Sequence, residues 1–227
     1  MSEAINNTEE RKEPVQKIFL TSDHHFGHEN IIRYTGRPFK DIYEMDECLI
    51  ENWNKTVSKR DLVYHVGDIF VCSKRLFRNP SQHAENIRRR LNGQIFLIKG
   101  NHEAVASDLP HLFGWVRDYY KLKVTDPDTD RGTQEIVLFH YPIEVWDKSH
   151  HGAWHCCGHS HNSFHRTRHC DPTDSGKRLD VGIDSAAFYL GKGELLPENY
   201  RPLSYDEVKS IMAKKKFKSC DHHGAEE

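Results

Sequence analysis

Five short groups of residues in this chain have types and spacings that suit metal-assisted chemistry: Asp23-His24-His25, Gly67-Asp68, Gly100-Asn101-His102-Glu103, the single His140, and Gly158-His159-Ser160-His161. Carboxylate, carboxamide and imidazole without thiolate make a mixed oxygen and nitrogen donor set, which suits Mn, Fe, Zn, Co or Ni, with Mn favoured here. The donors suffice for two divalent ions. Two such ions about 3.5 to 4 Å apart need a bridging carboxylate and a bridging water, and Asp68 is the candidate bridge. The combined charge would acidify the trapped water, giving near neutral pH a hydroxide suited to in-line attack on phosphorus. Asp23 and His25 stand two residues apart, as do His159 and His161. Extended backbone would send both members of each pair to one face and turn His24 away from it, which leaves His24 no metal role.

Each group needs an element to hold it. Lys17 to Ser22, Asp61 to Val66 and Gln94 to Lys99 are β-favouring runs followed at once by Asp or by Gly-Asn. Helical patterns at Tyr43 to Val57 and Gln82 to Leu91 lie between them, the second closed by Asn92-Gly93. Such alternation predicts a mainly parallel sheet, and in open α/β sheets ligands gather beyond the carboxyl ends of the strands. Trp115 to Val124, Glu135 to Phe139, Ala153 to Cys157 and Arg178 to Ile183 read as strands of a second, mixed sheet packed on the first. Ser204 to Lys215 reads as a closing amphipathic helix with Val208, Ile211 and Met212 on its apolar face. The expected fold class is α/β, two packed mixed β-sheets flanked by helices. Asp126 to Gly132 (DPDTDRG) lacks calcium-loop spacing and is expected to be a solvated hairpin loop. Ser185 to Glu198 reads as a loop with an apolar tip at Phe188 to Leu190, placed at a cleft rim, at a partner contact or in plain packing.

The metal motifs DxH, GD, GNHE, a lone His after a strand, and GHxH resemble the calcineurin-like metallophosphoesterase superfamily over about Ile18 to Ile183. The resemblance implies a four-layer α/β/β/α sandwich. It implies that Asp23, His25, Asp68 and His161 hold one ion and that Asp68, Asn101, His140 and His159 hold the other. His102 would then sit near the scissile phosphate and protonate or stabilise the leaving oxygen, which is general acid work. The second group reads GDIF rather than the GDxxDRG of the Ser/Thr protein phosphatases, and their second phosphate-binding arginine motif has no match, which points away from phosphoprotein substrates. Both the GHSH group and Ser22 to Ile32 (SDHHFGHENII) resemble small phosphodiesterase-like branches. The implied activity is two-metal hydrolysis of phosphate esters, with phosphodiesters or nucleotides favoured. A nuclease of single-stranded nucleic acid and a phosphomonoesterase are the alternatives, and a non-catalytic scaffold ranks last because none of the ligands is eroded.

Composition bounds these readings. The chain's 227 residues suit one domain, read here as 16–216 between a disordered segment 1–15 and a disordered tail 217–227. Charged residues make up 29% and no apolar run is long enough to span a bilayer, so no membrane partner is expected. Met1 to Gln16 lacks the basic-then-apolar pattern of a signal peptide, and the six cysteines (Cys48, Cys72, Cys156, Cys157, Cys170 and Cys220) show no CxxC pair; both point to a cytoplasmic protein with reduced thiols. The net charge of −2 advertises no nucleic-acid partner. Among the 17 histidines, His83, His111, His222 and His223 read as surface residues, and His150, His151 and His155 as wet loop or as partners that orient a ligand imidazole. His28 is a candidate substrate contact or the cap of a helix starting near Glu29. Arg37 is a candidate for a phosphate's free oxygens, whereas Arg33 reads as solvated surface. Lys74, Arg75 and Arg78 with Arg88, Arg89 and Arg90 would make a basic wall only if one face gathered them, and on a helix consecutive arginines fan apart.

Overall fold

The runs that carry the ligand groups are mostly apolar without a polar face because both of their faces are covered. The computed structural model describes residues 15–163 and 176–216; the expectations for residues 1–14 and 217–227, including Cys220, His222 and His223, and for Cys170, fall outside them. The chain runs β1 (Ile18–Thr21), α1 (Glu29–Thr35), α2 (Ile42–Thr56), β2 (Leu62–His65), α3 (Pro80–Arg90), β3 (Gln94–Ile98), α4 (Ala104–Ser107) and β4 (Val116–Arg117). It continues through β5 (Tyr120–Thr125), β6 (Thr133–Leu138), β7 (Trp154–Cys157), β8 (Arg178–Asp180), α5 (Ile183–Leu190), β9 (Leu203–Ser204) and α6 (Tyr205–Ala213).

The first sheet has the order β4-β3-β2-β1-β9, parallel except for β9, and the second has the order β5-β6-β7-β8, antiparallel only between β5 and β6. Alternate side chains divide between two cores, as the strand period requires. Phe19, Val63, Ile95 and Leu97 pack with Met45, Leu49 and Trp53 of α2 and Ile87 of α3. Their neighbours Leu20, Tyr64 and Ile98 face Leu122, Ile136, Leu138, Trp154 and Leu179 across the sandwich. The outer face of the second sheet is covered by segment 139–153, where Val137, Trp146 and Ala153 form a small cluster. Among the described residues no helix is long and apolar enough to cross a membrane.

Three expectations need correction. The run Trp115 to Val124 is two strands: β4 completes the first sheet and β5 begins the second. Both halves favour strand, so local preference carries no mark of the change of sheet; the Trp115 and Tyr120 rings meet at a 50° tilt with centroids 4.7 Å apart where the chain crosses. Residues 183–190 are a helix rather than a loop, with Ser185, Ala186 and Ala187 fully buried. A helix covered all round has no polar face and so no amphipathic period to read. Its Phe188 to Leu190 end is half-buried, not a free tip. The hairpin loop is as expected between β5 and β6, but Asp126 is buried there, accepting from Tyr205 Oη (2.5 Å) and Lys209 Nζ (2.7 Å), which ties the loop to α6. That helix starts with a reciprocal Ser204 and Glu207 cap and ends with Lys177 Nζ on the carbonyls of Met212 and Lys215.

His155 is buried in β7 rather than in a wet loop, and it anchors the segment that follows His140: its Nε2 lies 3.2 Å from the Tyr141 carbonyl and accepts from Ile143 N at 3.3 Å, while Nδ1 meets the Val137 carbonyl at 3.2 Å. Burial lowers its pKa to about 4, against the opposing pull of the two carbonyls. Unfolding returns it to about 6.5, so between these values the unfolded chain binds the extra proton and stability falls as pH falls. At about pH 5 this single group should cost about 2 kcal/mol relative to pH 7.5. Urea unfolding of metal-free protein at both pH values should show that dependence shrinking by about this amount in His155→Gln; an unchanged pH dependence would contradict it.

Candidate metal centre

All seven predicted ligands meet beyond the carboxyl ends of the strands. Asp23 and His25 follow β1, Asp68 follows β2, Asn101 follows β3, His140 follows β6, and His159 and His161 follow β7. Among the described residues two groups bring ligand atoms within 4.8 Å of one another, Asp23 with His25 and His161, and Asp23 with Asp68 and His140.

The distances give Asp68 the central place. Its Oδ2 lies 3.6 Å from His25 Nε2 and 3.6 Å from His140 Nε2, while Asp23 Oδ1 lies 3.8 Å from the Nε2 atoms of both His25 and His161. Asn101 Oδ1 lies 3.0 Å from His140 Nε2 and 2.9 Å from His159 Nδ1. Donors about 2.1 Å from a shared ion stand about 3 to 3.8 Å apart at angles of about 90 to 130°, so these separations fit ligand edges. Asp23 Oδ1 and His25 Nε2 are buried without a hydrogen-bond partner in the protein, and a buried polar atom rarely stays so. The residues fit a divalent pair.

The unused ligand atoms are engaged behind the site. Asp23 Oδ2 accepts from His159 N (2.9 Å) and Asp68 Oδ1 from His102 N (2.7 Å). The Val66 carbonyl meets His140 Nδ1 at 2.8 Å, and Asp184 Oδ2 meets His161 Nδ1 at 2.7 Å, which turns each Nε2 toward the centre. Burial alone would raise the Asp23 carboxyl; the neighbouring imidazoles of His25, His161 and His140 instead hold it far below the usual carboxylate range. Burial lowers His161, but the Asp184 hydrogen bond and Asp23 outweigh it and raise the ring to about 9.

The backbone that presents these groups is not extended as expected. Asp23 (φ 57°), His25 (53°), Asp68 (57°), His159 (68°) and His161 (45°) all adopt left-handed conformation, uncommon for side-chain-bearing residues and concentrated where function holds it in place. Alternate residues still reach one cavity because the loops curl over the strand ends. Glycines make room: a Cβ at Gly100 would strike Asp68 Oδ1, and one at Gly158 would strike Ser22 Oγ and Asp23 Oδ2.

His24 does turn away, as expected. Its Nδ1 shares a 2.9 Å hydrogen bond with His65 Nε2 in the core, and its ring stacks on Phe26. His28 stands at the start of α1 but makes no side-chain cap; its Nδ1 meets His25 Nδ1 at 3.1 Å, and it lines a cleft with His25, Asn101, His102, His159 and His161. His102 is exposed there, its ring 5.7 Å from His25. Arg37 requires the main correction. It is 3% exposed and lies beneath the site, bound to both oxygens of Asp184 (2.9 and 2.8 Å) and to the carbonyls of His24 (2.9 Å) and Asp23 (2.8 Å), which removes it from substrate contact. The triple arginine is spread out too: Arg88 caps the carbonyls of Leu91, Gly93 and Leu112, Arg89 meets Glu85, and Arg90 meets Glu47. His83 is half-buried, stacked on Phe77 at 3.8 Å rather than free on the surface. Among the described residues Cys48, Cys72, Cys156 and Cys157 form no disulfide.

Four carboxylates support the site, and of these only Glu103 stood in a motif, where it had no assigned role. Asp184 braces His161; Asp180 accepts from Ser160 Oγ, Asn162 N (3.2 Å) and Gly182 N (2.8 Å), shaping the turn of the last motif. Asp46 accepts from Gly27 N at 3.2 Å. Glu103 accepts from Ile69 N at 3.0 Å, and burial pushes its carboxyl up to about 8 with the Asp68 charge adding to the rise. The signal available for Asp180 and Asp184 was acidic residues inside an otherwise apolar run, RLDVGIDSAAFYL, because a buried charge needs a partner.

A family model described as calcineurin-like phosphoesterase matches residues 16–163. An uncharacterized protein of Methanocaldococcus jannaschii is 30% identical over 204 residues, covering 89% of this chain and 94% of that one. The Gene 66 protein of Mycobacterium phage L5 is 25% identical over 201 residues, covering 80% of this chain and 93% of its own. A protein of unknown function from Aquifex aeolicus shares the fold, with a TM-score of 0.61 at 21% identity over 87% of this chain and all of the other. The family match spans all five ligand groups and strands β1 to β7: this chain belongs to the calcineurin-like phosphoesterase family.

Proposed function

We propose that the protein is a two-metal-dependent phosphodiesterase that acts on phosphodiesters or nucleotides. The observation that carries this reading is the position of Asp68 Oδ2, equidistant from His25 Nε2 and His140 Nε2 with a separate donor set on either side. Asp23, His25, Asp68 and His161 would hold one ion, and Asp68, Asn101, His140 and His159 the other. A divalent pair, Mn favoured, would neutralise phosphate charge and acidify water for attack on phosphorus. The protein's own groups do the rest. His102 stands exposed at the cleft as the general acid for the leaving oxygen, and imidazole suits that task. His28 fixes the orientation of His25 through their shared hydrogen bond.

Charge favours a diester. None of the cleft-lining side chains among the described residues is Lys or Arg, and the nearby guanidinium of Arg37 is consumed by Asp184. A diester brings one negative charge and a monoester near neutral pH brings nearly two, so the second charge of a monoester finds less compensation here.

Protein loaded with Mn should cleave bis(4-nitrophenyl) phosphate faster than 4-nitrophenyl phosphate, and His102→Ala should keep full metal content while losing about a hundredfold or more in kcat. The reading fails if neither ester is cleaved, and the role of His102 fails if kcat survives its removal.

A further inference from the structure

Tyr34 is an exposed aromatic side chain beside the centre that the proposed chemistry does not use. It stands near the end of α1, 64% exposed, and with Ile31 and Thr35 it forms a wall of a cleft of about 570 Å³ whose other lining includes His25, His28 and His161. Its ring meets His28 edge-on with centroids 6.2 Å apart, and His28 stacks on His25 at 5.3 Å, so Tyr34 is two ring contacts away from a candidate metal ligand. The Arg33 guanidinium lies over the Tyr34 ring, 5.4 Å from its centroid, and the side chain as a whole remains largely open to solvent. Packing does not require this ring. An aromatic left in water at a cleft wall forgoes burial energy that other tyrosines of the fold collect.

We infer that Tyr34 is the stacking platform for a planar aromatic substituent of the substrate, which assigns the cleft to phosphodiesters that carry a nucleoside. The inference rests on the phosphoesterase reading of the centre and extends it to substrate class. Ring contacts of 6.2 and 5.3 Å link Tyr34 through His28 to His25, and all three line one cleft, so a base on Tyr34 and a phosphate at the candidate ligands would share that cleft. The described lining carries no Lys or Arg, and a ring face there accepts any base by stacking.

The test compares thymidine 5′-(4-nitrophenyl) phosphate with ethyl 4-nitrophenyl phosphate, which share a leaving group. The Mn-loaded enzyme should favour the thymidine ester in kcat/KM by roughly five- to a hundredfold, the range that one base stack provides. Tyr34→Ala should collapse that ratio to near one, mainly through KM, while Tyr34→Phe preserves it. Saturation-transfer NMR with thymidine 5′-monophosphate should place the strongest enhancement on the thymine ring protons and lose it in Tyr34→Ala. A wild-type ratio near one, or a ratio that survives Tyr34→Ala, overturns the platform and leaves the phosphodiesterase reading intact. Cleavage of neither ester overturns both.

Discussion

Asp68→Asn is expected to lower turnover by about a thousandfold or more, because one substitution removes a donor from both halves of the centre. The change is nearly isosteric. The introduced carboxamide can still accept from His102 N through its oxygen, so the turn that presents Asn101 and His102 keeps its anchor. In place of Oδ2 it offers an amide NH2, which donates rather than coordinates, to His25 Nε2 and His140 Nε2 at 3.6 Å. The metal-free variant should therefore fold as well as the wild type, and relief from the neighbouring Asp23 and Glu103 carboxyls works in its favour. Elemental analysis should find about two ions per wild-type chain and one or none in the variant. Added Mn should raise the melting temperature of the wild type and leave the variant nearly unmoved, since only a ligand that binds the folded state stabilises it. A variant that retains two ions and normal turnover would remove Asp68 from the bridging position.

The candidate ligand groups could be read from the sequence, yet the framework that gathers them could not. Asp23, Asp68 and Asn101 follow continuous β-favouring runs, and a run buried on both faces cannot easily be anything but an interior strand. The boundaries of α2 and α3 were close to readable for a similar reason: Asp41 and Asn79 cap their starts with side chains that accept from Glu44 N and Gln82 N, and each helix has one apolar face. Three features escaped. Helix α5 is apolar nearly all round, and β4 and β5 are continuous in preference though they belong to different sheets. The left-handed residues of the ligand loops follow from tertiary anchors that no short window contains, such as Asp23 N donating to Gly67 O and His25 N to Asp68 O. Arg37 was misplaced for the same reason. Its nearness in sequence to the first motif suggested the cleft, whereas the partner that determines its position, Asp184, is 147 residues away.

Arg37→Leu should accordingly behave as a structural lesion that reaches the metal through two bonds. Arg37 and Asp184 are 3% and 4% exposed, and the guanidinium also holds the carbonyls of Asp23 and His24, where the backbone enters its left-handed turn. Removing the cation leaves a buried carboxylate with His161 as its remaining ring partner and frees two carbonyls from their donors. Breaking such a buried pair costs about 3 to 5 kcal/mol, which in a domain of this size corresponds to a fall in melting temperature of roughly 6 to 20 °C. Asp184→Asn leaves the shape intact but weakens the acceptor that orients His161, and metal affinity should drop by about ten- to a hundredfold with a smaller loss of stability. The double variant Arg37→Leu/Asp184→Leu separates the two effects. Replacing both charges with apolar groups should recover part of the stability lost by Arg37→Leu alone, because no buried carboxylate is left unpaired. It should not show wild-type metal affinity, because Asp184→Leu removes the acceptor of His161 Nδ1. If stability and metal affinity return together in the double variant, Asp184 does not brace His161; if Arg37→Leu melts with the wild type, the buried pair is not what holds the first and last motifs in register.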